Sequence, residues 1–452
     1  MTPNVDIMTA VEQLDYTVTV GDVAVQTGLN IQSVENDLLF LASESGAHLQ
    51  VSETGDVVYL FPKNIKALLQ QKYWQLRVSM LWGQLWTLLF FLIRISVGLL
   101  LISSIILVTI AIAVVVIGVQ VSSQSQSSDR DRPSSSSSSS ASPISAYQFN
   151  ILLQGFVSVF QYHPHRSYRR QRSTPNRRQR EKPALNWLEA IFSFFFGDGN
   201  PNVDLEEERW HQIGQVIRQH QGAIAAEHVA PYLDGIDRDL QLDEEDYILP
   251  VLTRFNGRPQ VTDTGHLVYQ FPELQVTVEE PESFRSSPSS YLEETPWRFS
   301  QATGGQMLLA AGLGLANIIG VIWLGLLPDA SPQSDLYVVY QFASQIYIFL
   351  LAYALLLGIT PIIRFVTLQG RNTGIKNRNQ EREARSHLLA QPSDVLRRKL
   401  QEVRQFAHQT LLSESSTVYT TERGLTEQEL EQSDQIDQDW QRRLENNDNL
   451  NS

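Results

Sequence analysis

The sequence predicts an α+β protein in which two winged-helix-like domains are carried by α-helical transmembrane hairpins. Three observations carry the prediction: a thirteen-residue hairpin motif that occurs twice, helical periodicity ahead of each occurrence, and long apolar blocks in an otherwise polar chain of 452 residues.

The repeat is the most specific of the three. QVSETGDVVYLFP, from Gln50 to Pro62, returns 210 positions later as QVTDTGHLVYQFP, from Gln260 to Pro272, with eight of thirteen positions identical. Two of the changes, Ser52 to Thr262 and Glu53 to Asp263, keep the side-chain chemistry. In the first copy Val51 and the run Val57 to Phe61 form the arms of a β-hairpin, and Thr54 and Gly55 form the tip, where a positive φ is needed. Ahead of it, Ile7, Val11 and Leu14 mark a helix over Asp6 to Leu14. Thr19 and Asp22 have the spacing of a capping box for a second helix ending at Gly28, and Val34, Leu38 and Leu41 mark a third after Asn30. Three helices and a hairpin make the first winged-helix-like domain, residues 1–62. The second, residues 204–275, repeats the order over Trp210 to Arg218, Ala225 to Leu233 and Glu244 to Phe255, with the acidic run GIDRDLQLDEED in place of a compact glycine turn.

Mean hydropathy is only −0.17, because the apolar residues are gathered into blocks. Residues 305–327 and 336–359 each suit one membrane crossing, joined by a short proline-containing loop. In the first of these, Gly312, Ala316 and Gly320 recur every four residues as a helix-packing seam. Residues 78–121 are either two spans, turning at Gly98 with Arg94 at the far interface, or one long span. Basic residues flank the block on both sides, which favours two. The N-terminus lacks a secretory signal pattern, so the first internal block is expected to direct insertion. Residues 122–145 are a Ser-rich linker, and residues 364–452 form a cytoplasmic helical tail with Ser393 capping a helix to about Leu412.

Residues 163–200 combine charge with aromatic rings. Arg166, Arg169, Arg170, Arg172, Arg177, Arg178, Arg180 and Lys182 face a single acid, Glu181, and Trp187 opens the aromatic segment NWLEAIFSFFF. Such a pair suits docking on anionic headgroups, or a helix packed on the second domain.

Composition excludes several chemistries. There is no cysteine, hence no disulfide, thiolate zinc site or Cys-ligated iron–sulfur cluster from this chain. The histidines are scattered, with no HExxH, and GDGNPNVDLEEE has alternating Asp and Asn but Val203 and Arg209 where a calcium loop needs Gly and Glu. No catalytic residue, cofactor or metal site is expected, and the chain is not expected to be an enzyme. Net charge is −14; residues 1–62 hold nine acids and no Lys or Arg, with Glu35 and Asp37 on the helix that would read DNA. Nucleic-acid binding is therefore disfavoured and protein docking expected, with Tyr59, Phe61, Tyr269 and Phe271 of the hairpins as candidate contacts.

The hairpins TGDVVYLFP and TGHLVYQFP, the segment FSFFFGDGNPN and the tail STVYTTERGLTEQELE resemble a poorly characterised family of membrane proteins of cyanobacteria and plant plastids. Plastid members are sometimes labelled iron–sulfur cluster biosynthesis proteins; the absence of cysteine here departs from any thiol-based carrier role. The resemblance implies a multi-pass protein of a thylakoid or plasma membrane of a cyanobacterium, with cytoplasmic soluble domains. The function expected is an assembly or interaction factor that docks protein partners at such a membrane. A membrane-tethered transcription regulator and an accessory subunit of a transport complex stand as alternatives.

Overall fold

The structure, a computed structural model, describes residues 3–72, 74–125, 186–236, 245–278, 288–326, 337–412 and 417–424, with 426–428, 430, 433 and 440. It opens with α1 (Val5–Gln13), β1 (Thr17–Val18), α2 (Val20–Thr27) and α3 (Ile31–Ser45), then β2 (His48–Ser52), β3 (Val57–Leu60) and α4 (Ile65–Lys72). Asn4 and Asn30 cap α1 and α3 through their side chains, and Thr19 with Asp22 closes a reciprocal capping box on α2. Gly28 ends α2 at φ 67°, the left-handed conformation that glycine adopts without cost.

The next element corrects the hairpin expected over residues 78–121. Trp74–Ser125 is a single helix, α5, of 52 residues. Gly98 is helical; a Cβ there would come within 2.7 Å of Leu188, so the glycine permits close packing and makes no turn. The block holds no proline, and a break inside an apolar stretch would leave backbone N–H and C=O groups without partners in lipid. A short apolar helix, α6 (Trp187–Phe196), follows.

The second copy comprises α7 (Leu205–Gln219), β4 (Ala223–Ile224) and α8 (Ala226–Val229), which continues as a 3-10 turn over Ala230–Tyr232. A second 3-10 turn leads into α9 (Leu249–Phe255), followed by β5 (Arg258–Val261), β6 (Leu267–Gln270), α10 (Pro272–Gln275) and β7 (Val276–Val278). Its hairpin repeats the first residue for residue: His48 pairs with Leu60 and Val51 with Val57, as Arg258 pairs with Gln270 and Val261 with Leu267.

The remaining elements are α11 (Gly304–Leu326), α12 (Tyr337–Gln345), α13 (Tyr347–Ala390), α14 (Asp394–Val403), β8 (Thr410–Leu412) and β9 (Thr417–Thr420). Two tail expectations change. GRNTGIK, residues 370–376, lies inside α13 and is no linker, its Asn372 side chain bonding the backbone N–H and C=O of Trp297. The helix after Ser393 stops at Val403, short of Leu412, because the chain then turns into β8.

The fold is α+β, with sheets ordered β1-β3-β2-β9, β4-β6-β5 and the parallel pair β7-β8. The chain divides into two compact units: Met1–Trp82, Pro201–Pro296 and Thr373–Ser452 form the first, Gly83–Asn200 and Trp297–Asn372 the second.

In the first unit the two copies share one core, which runs from Ile7, Val25 and Leu38 to Ile213, Phe255 and Phe271. Glycine makes that fusion possible. A Cβ on Gly21 of α2 would fall 2.0 Å from the Glu273 carbonyl oxygen, and one on Gly214 of α7 would fall 3.2 Å from Val25. Asp22, already committed to the α2 capping box, also takes the Thr277 hydroxyl at 3.0 Å and Arg218 at 2.8 Å. One carboxylate thus both caps a helix and ties the copies together.

In the second unit, three helices are long and apolar enough to cross a membrane among the described residues, in α5, α11 and α13. The seam expected at Gly312, Ala316 and Gly320 is not the packing face. Gly312 and Ala316 are exposed, and only Gly320 meets a neighbour, Val108 at 3.0 Å from its virtual Cβ. The buried stripe of α11 is Ala310, Leu313, Gly314, Asn317, Val321 and Leu324, with Gly314 lying under the Phe195 ring. The aromatic bulk of α6 selects the face, so spacing within α11 alone could not.

Candidate protein-docking site

The four hairpin aromatics are core residues, which corrects their assignment as contacts. Tyr59, Phe61, Tyr269 and Phe271 are 3%, 6%, 4% and 0% exposed. β3 and β6 are interior strands, and on each the face that carries these rings lies against the shared core while Val58 and Val268 on the opposite face are buried too. Burial raises the Tyr59 phenol above its usual pKa, with Glu35 adding to the effect. Trp187 stands half exposed at the start of α6. Arg166 to Lys182, the Ser-rich linker and the histidines of residues 163–165 lie outside the described residues.

The surfaces around the hairpins are instead occupied by the C-terminal tail. α14 lies on the second copy and inserts Lys399, 2% exposed, between two carboxylates. Its ammonium is 2.8 Å from both Glu227 oxygens and 2.6 Å from Glu245. The Tyr269 hydroxyl donates to the other Glu245 oxygen at 2.7 Å, and burial followed by this acceptor raises its pKa. One turn on, Glu402 accepts from the Thr264 hydroxyl at 2.7 Å and lies 3.0 Å from His266 Nδ1, at the tip of the second hairpin. The hydrogen bonds from Thr264, His266 and Thr262 hold the Glu402 carboxyl down to about 2. Nearby, the His220 and His228 rings meet at 4.0 Å, tilted by 46°, and burial, reinforced by His220, pushes His228 down to about 3.

Past α14, β8 joins β7 in parallel, and β9 adds to the outer edge of β2 in the first hairpin. The end of α13 is clamped in the same unit. Arg382, fully buried, bonds Asp234 and Glu294, and Arg378 forms a two-pronged pair with Glu294 at 2.8 and 2.6 Å. That pairing holds the Glu294 carboxyl below its usual range. Arg385 donates to the carbonyls of Ala230 and Leu233 at the end of the α8 turn. These three arginines are therefore structural ligands of the second copy.

A polar cleft of about 430 Å³ opens between the copies, lined by Glu35, Asp56, Tyr59, Arg254, Asn256 and Glu273 among others. Arg254 is committed elsewhere: its guanidinium donates to the Gly28 carbonyl and stacks 4.5 Å over Trp210. The cleft is acidic because Glu35, Asp56 and Glu273 outnumber Arg254 along its lining, and Glu35 and Asp37 make the outer face of α3 acidic as well.

The chain is 33% identical over 448 residues to the uncharacterized protein At5g03900, chloroplastic, of Arabidopsis thaliana, covering 97% of this chain and 81% of the plant protein. The chain belongs to that plastid protein's family. No protein-family model matches it, and no solved structure matches it.

In this member of the family the acidic loop after α6 is a structural joint. Asp198 accepts from the Ser193 hydroxyl and the Gln301 N–H, and Asn202 exchanges two hydrogen bonds with the Thr295 backbone. Among the described residues no group of three or more His, Asp or Glu is placed to hold a metal ion. The buried ion pairs escaped sequence reasoning because each is a lone letter whose partners lie more than eighty residues away. One signal was present: Lys399 falls on the apolar stripe of α14, between Leu396 and Val403. A lysine there needs buried partners.

Proposed function

We propose that the chain is a membrane-anchored docking or assembly factor, whose two fused winged-helix-like copies present acidic surfaces to partner proteins at a plastid or related photosynthetic membrane. The observation that carries this reading is the acidic face of α3 and the adjoining cleft. Glu35 and Asp37 occupy the helix on which a winged helix would place DNA contacts, and its one lining arginine is already engaged. The chloroplastic relative and the three apolar helices support a plastid-type membrane as the site of action.

The shared core supports placing both copies on one side of the membrane, since residues on either side of α5 build one hydrophobic cluster. The absence of cysteine makes a clean test possible. Single cysteines at Glu53 and Asp263, both exposed at the hairpin tips, should be labelled by an impermeant maleimide from the same face of sealed vesicles. Labelling from opposite faces would exclude the shared compartment.

Partner docking is tested with a photo-crosslinker at Ser33, exposed on α3. The expected product in native membranes is a discrete protein adduct that Glu35→Lys with Asp37→Lys abolishes. A duplex DNA adduct with steep salt dependence would establish the tethered-regulator alternative instead.

A further inference from the structure

The two hairpins are superimposable in register yet differ at their outer edges. In the first, β2 is an interior strand because β9 of the tail covers it; in the second, β5 closes the sheet, and among the described residues nothing pairs with its outer edge. The reason lies at one position. Leu49 turns its backbone outward: its N–H donates to the Thr421 hydroxyl at 2.8 Å, and its C=O accepts from the Thr421 N–H at 2.9 Å. The residue at the matching register in the second hairpin, opposite Tyr269 as Leu49 is opposite Tyr59, is Pro259. Proline has no N–H to offer, the usual way of closing a sheet edge to further strands. One edge of the pair accepts a strand and its twin is blocked.

The strand that occupies the open edge is weakly held. β9 has four residues, none of them buried, and Val418 is 42% exposed. Its register against β2 breaks between Val51 and Ser52. It is also like-charged with its host: residues 413–440 hold eight acids and one basic residue, and residues 1–62 hold nine acids and no Lys or Arg. Main-chain hydrogen bonds hold it, while apolar burial contributes little and charge opposes it.

Resting on the docking role proposed above, we infer that the outer edge of β2 is a strand-accepting site for an extended, basic-flanked segment of a partner protein, with β9 as its resident competitor. The resident strand shows what the site takes: β-branched and aromatic residues without proline, and a hydroxyl placed to receive the Leu49 N–H. Basic flanks reverse the charge opposition that the tail suffers.

The test uses the full chain in lipid nanodiscs and two fluorescent peptides, KKTVYTTKK and EETVYTTEE. The basic peptide binds with one-to-one stoichiometry, and Tyr419→Pro in the chain tightens binding by about tenfold or more, because an intramolecular competitor acts at an effective concentration near millimolar. Leu49→Pro abolishes binding. Pro259→Leu, added to Tyr419→Pro, raises the stoichiometry to two, which keeps the test decisive should Leu49→Pro fail to fold. Binding that ignores Leu49→Pro, equal binding of the acidic peptide, a stoichiometry of one after Pro259→Leu, or no binding to the Tyr419→Pro chain would each overturn the inference. The Ser33 crosslink reads the docking role separately: its loss with peptide binding intact overturns that role alone, and its persistence without peptide binding overturns the strand site alone.

Discussion

Lys399 and Glu227 form a buried ion pair, 2.8 Å from the ammonium to each carboxylate oxygen, which ties the last helix of the chain to the second copy of its repeat. With Glu245 also 2.6 Å from the ammonium, two carboxylates depend on one lysine. Removing one member of such a cluster leaves uncompensated charge in the interior, at a cost of roughly 3–5 kcal/mol. Lys399→Met should therefore lower the denaturant midpoint sharply and release α14 to protease. Adding Glu227→Gln and Glu245→Gln should recover much of the loss; no recovery would mean that the lysine's aliphatic packing is what matters.

Gly21 decides whether the copies can fuse. With the Glu273 carbonyl 2.0 Å from a would-be Cβ, the added methyl meets backbone, and no side-chain rotation relieves the clash. Gly21→Ala should destabilise the soluble unit by about 1–3 kcal/mol. Gly55→Ala, at a tip with open space around it and φ 86°, provides the contrast of backbone strain without a clash. Thermal unfolding of the two variants separates these effects, and an unchanged Gly21→Ala midpoint would contradict the close approach of α2 to α10.

Acid should weaken the second copy before it affects the rest. His228 is held neutral by burial, with a folded-state value of about 3 against about 6.5 in the unfolded chain. A depressed folded value means that the unfolded state binds the proton first, so the associated stability is intact above about pH 6.5 and declines as pH falls toward 3. The slope is at most about 1.4 kcal/mol per pH unit. Glu402, held at about 2, adds a loss of the same sign that begins below its ordinary range near 4.3. His228→Phe should flatten the stability profile between pH 6 and 4; an unchanged profile would place the acid sensitivity elsewhere.

The end of α6 depends on Arg364. Its guanidinium donates to the carbonyls of Phe194 at 2.7 Å and Phe299 at 2.6 Å, reaches Ser193 O at 3.4 Å, and stacks 4.9 Å from the Phe299 ring centroid. Carbonyls at a helix C-terminus are left without intrahelical partners, and a planar donor fork satisfies several at once. Arg364→Met should cost on the order of 3 kcal/mol in the detergent-solubilised protein. Arg364→Lys should rescue little of it, since an ammonium cannot reproduce the fork; full rescue would reduce the interaction to charge alone.

Much of this was legible in the sequence because the relevant forces act over a few residues. The hairpins, the Thr19–Asp22 capping box, the left-handed turn at Gly28 and the apolar helix of residues 304–326 are set by local spacing, backbone conformation and hydropathy. The internal repeat, an acidic first copy and the exclusion of cysteine chemistry need no structure at all. Tertiary packing decided the rest. It chose the Gly314 face of α11 over the Gly312 seam and turned the hairpin aromatics inward. It also merged two copies into a single core and placed β9 on the one hairpin edge that Pro259 does not close in its twin. Each of these depends on which distant surface covers an element. A chain's own periodicity states only that a face must be covered, and never by what.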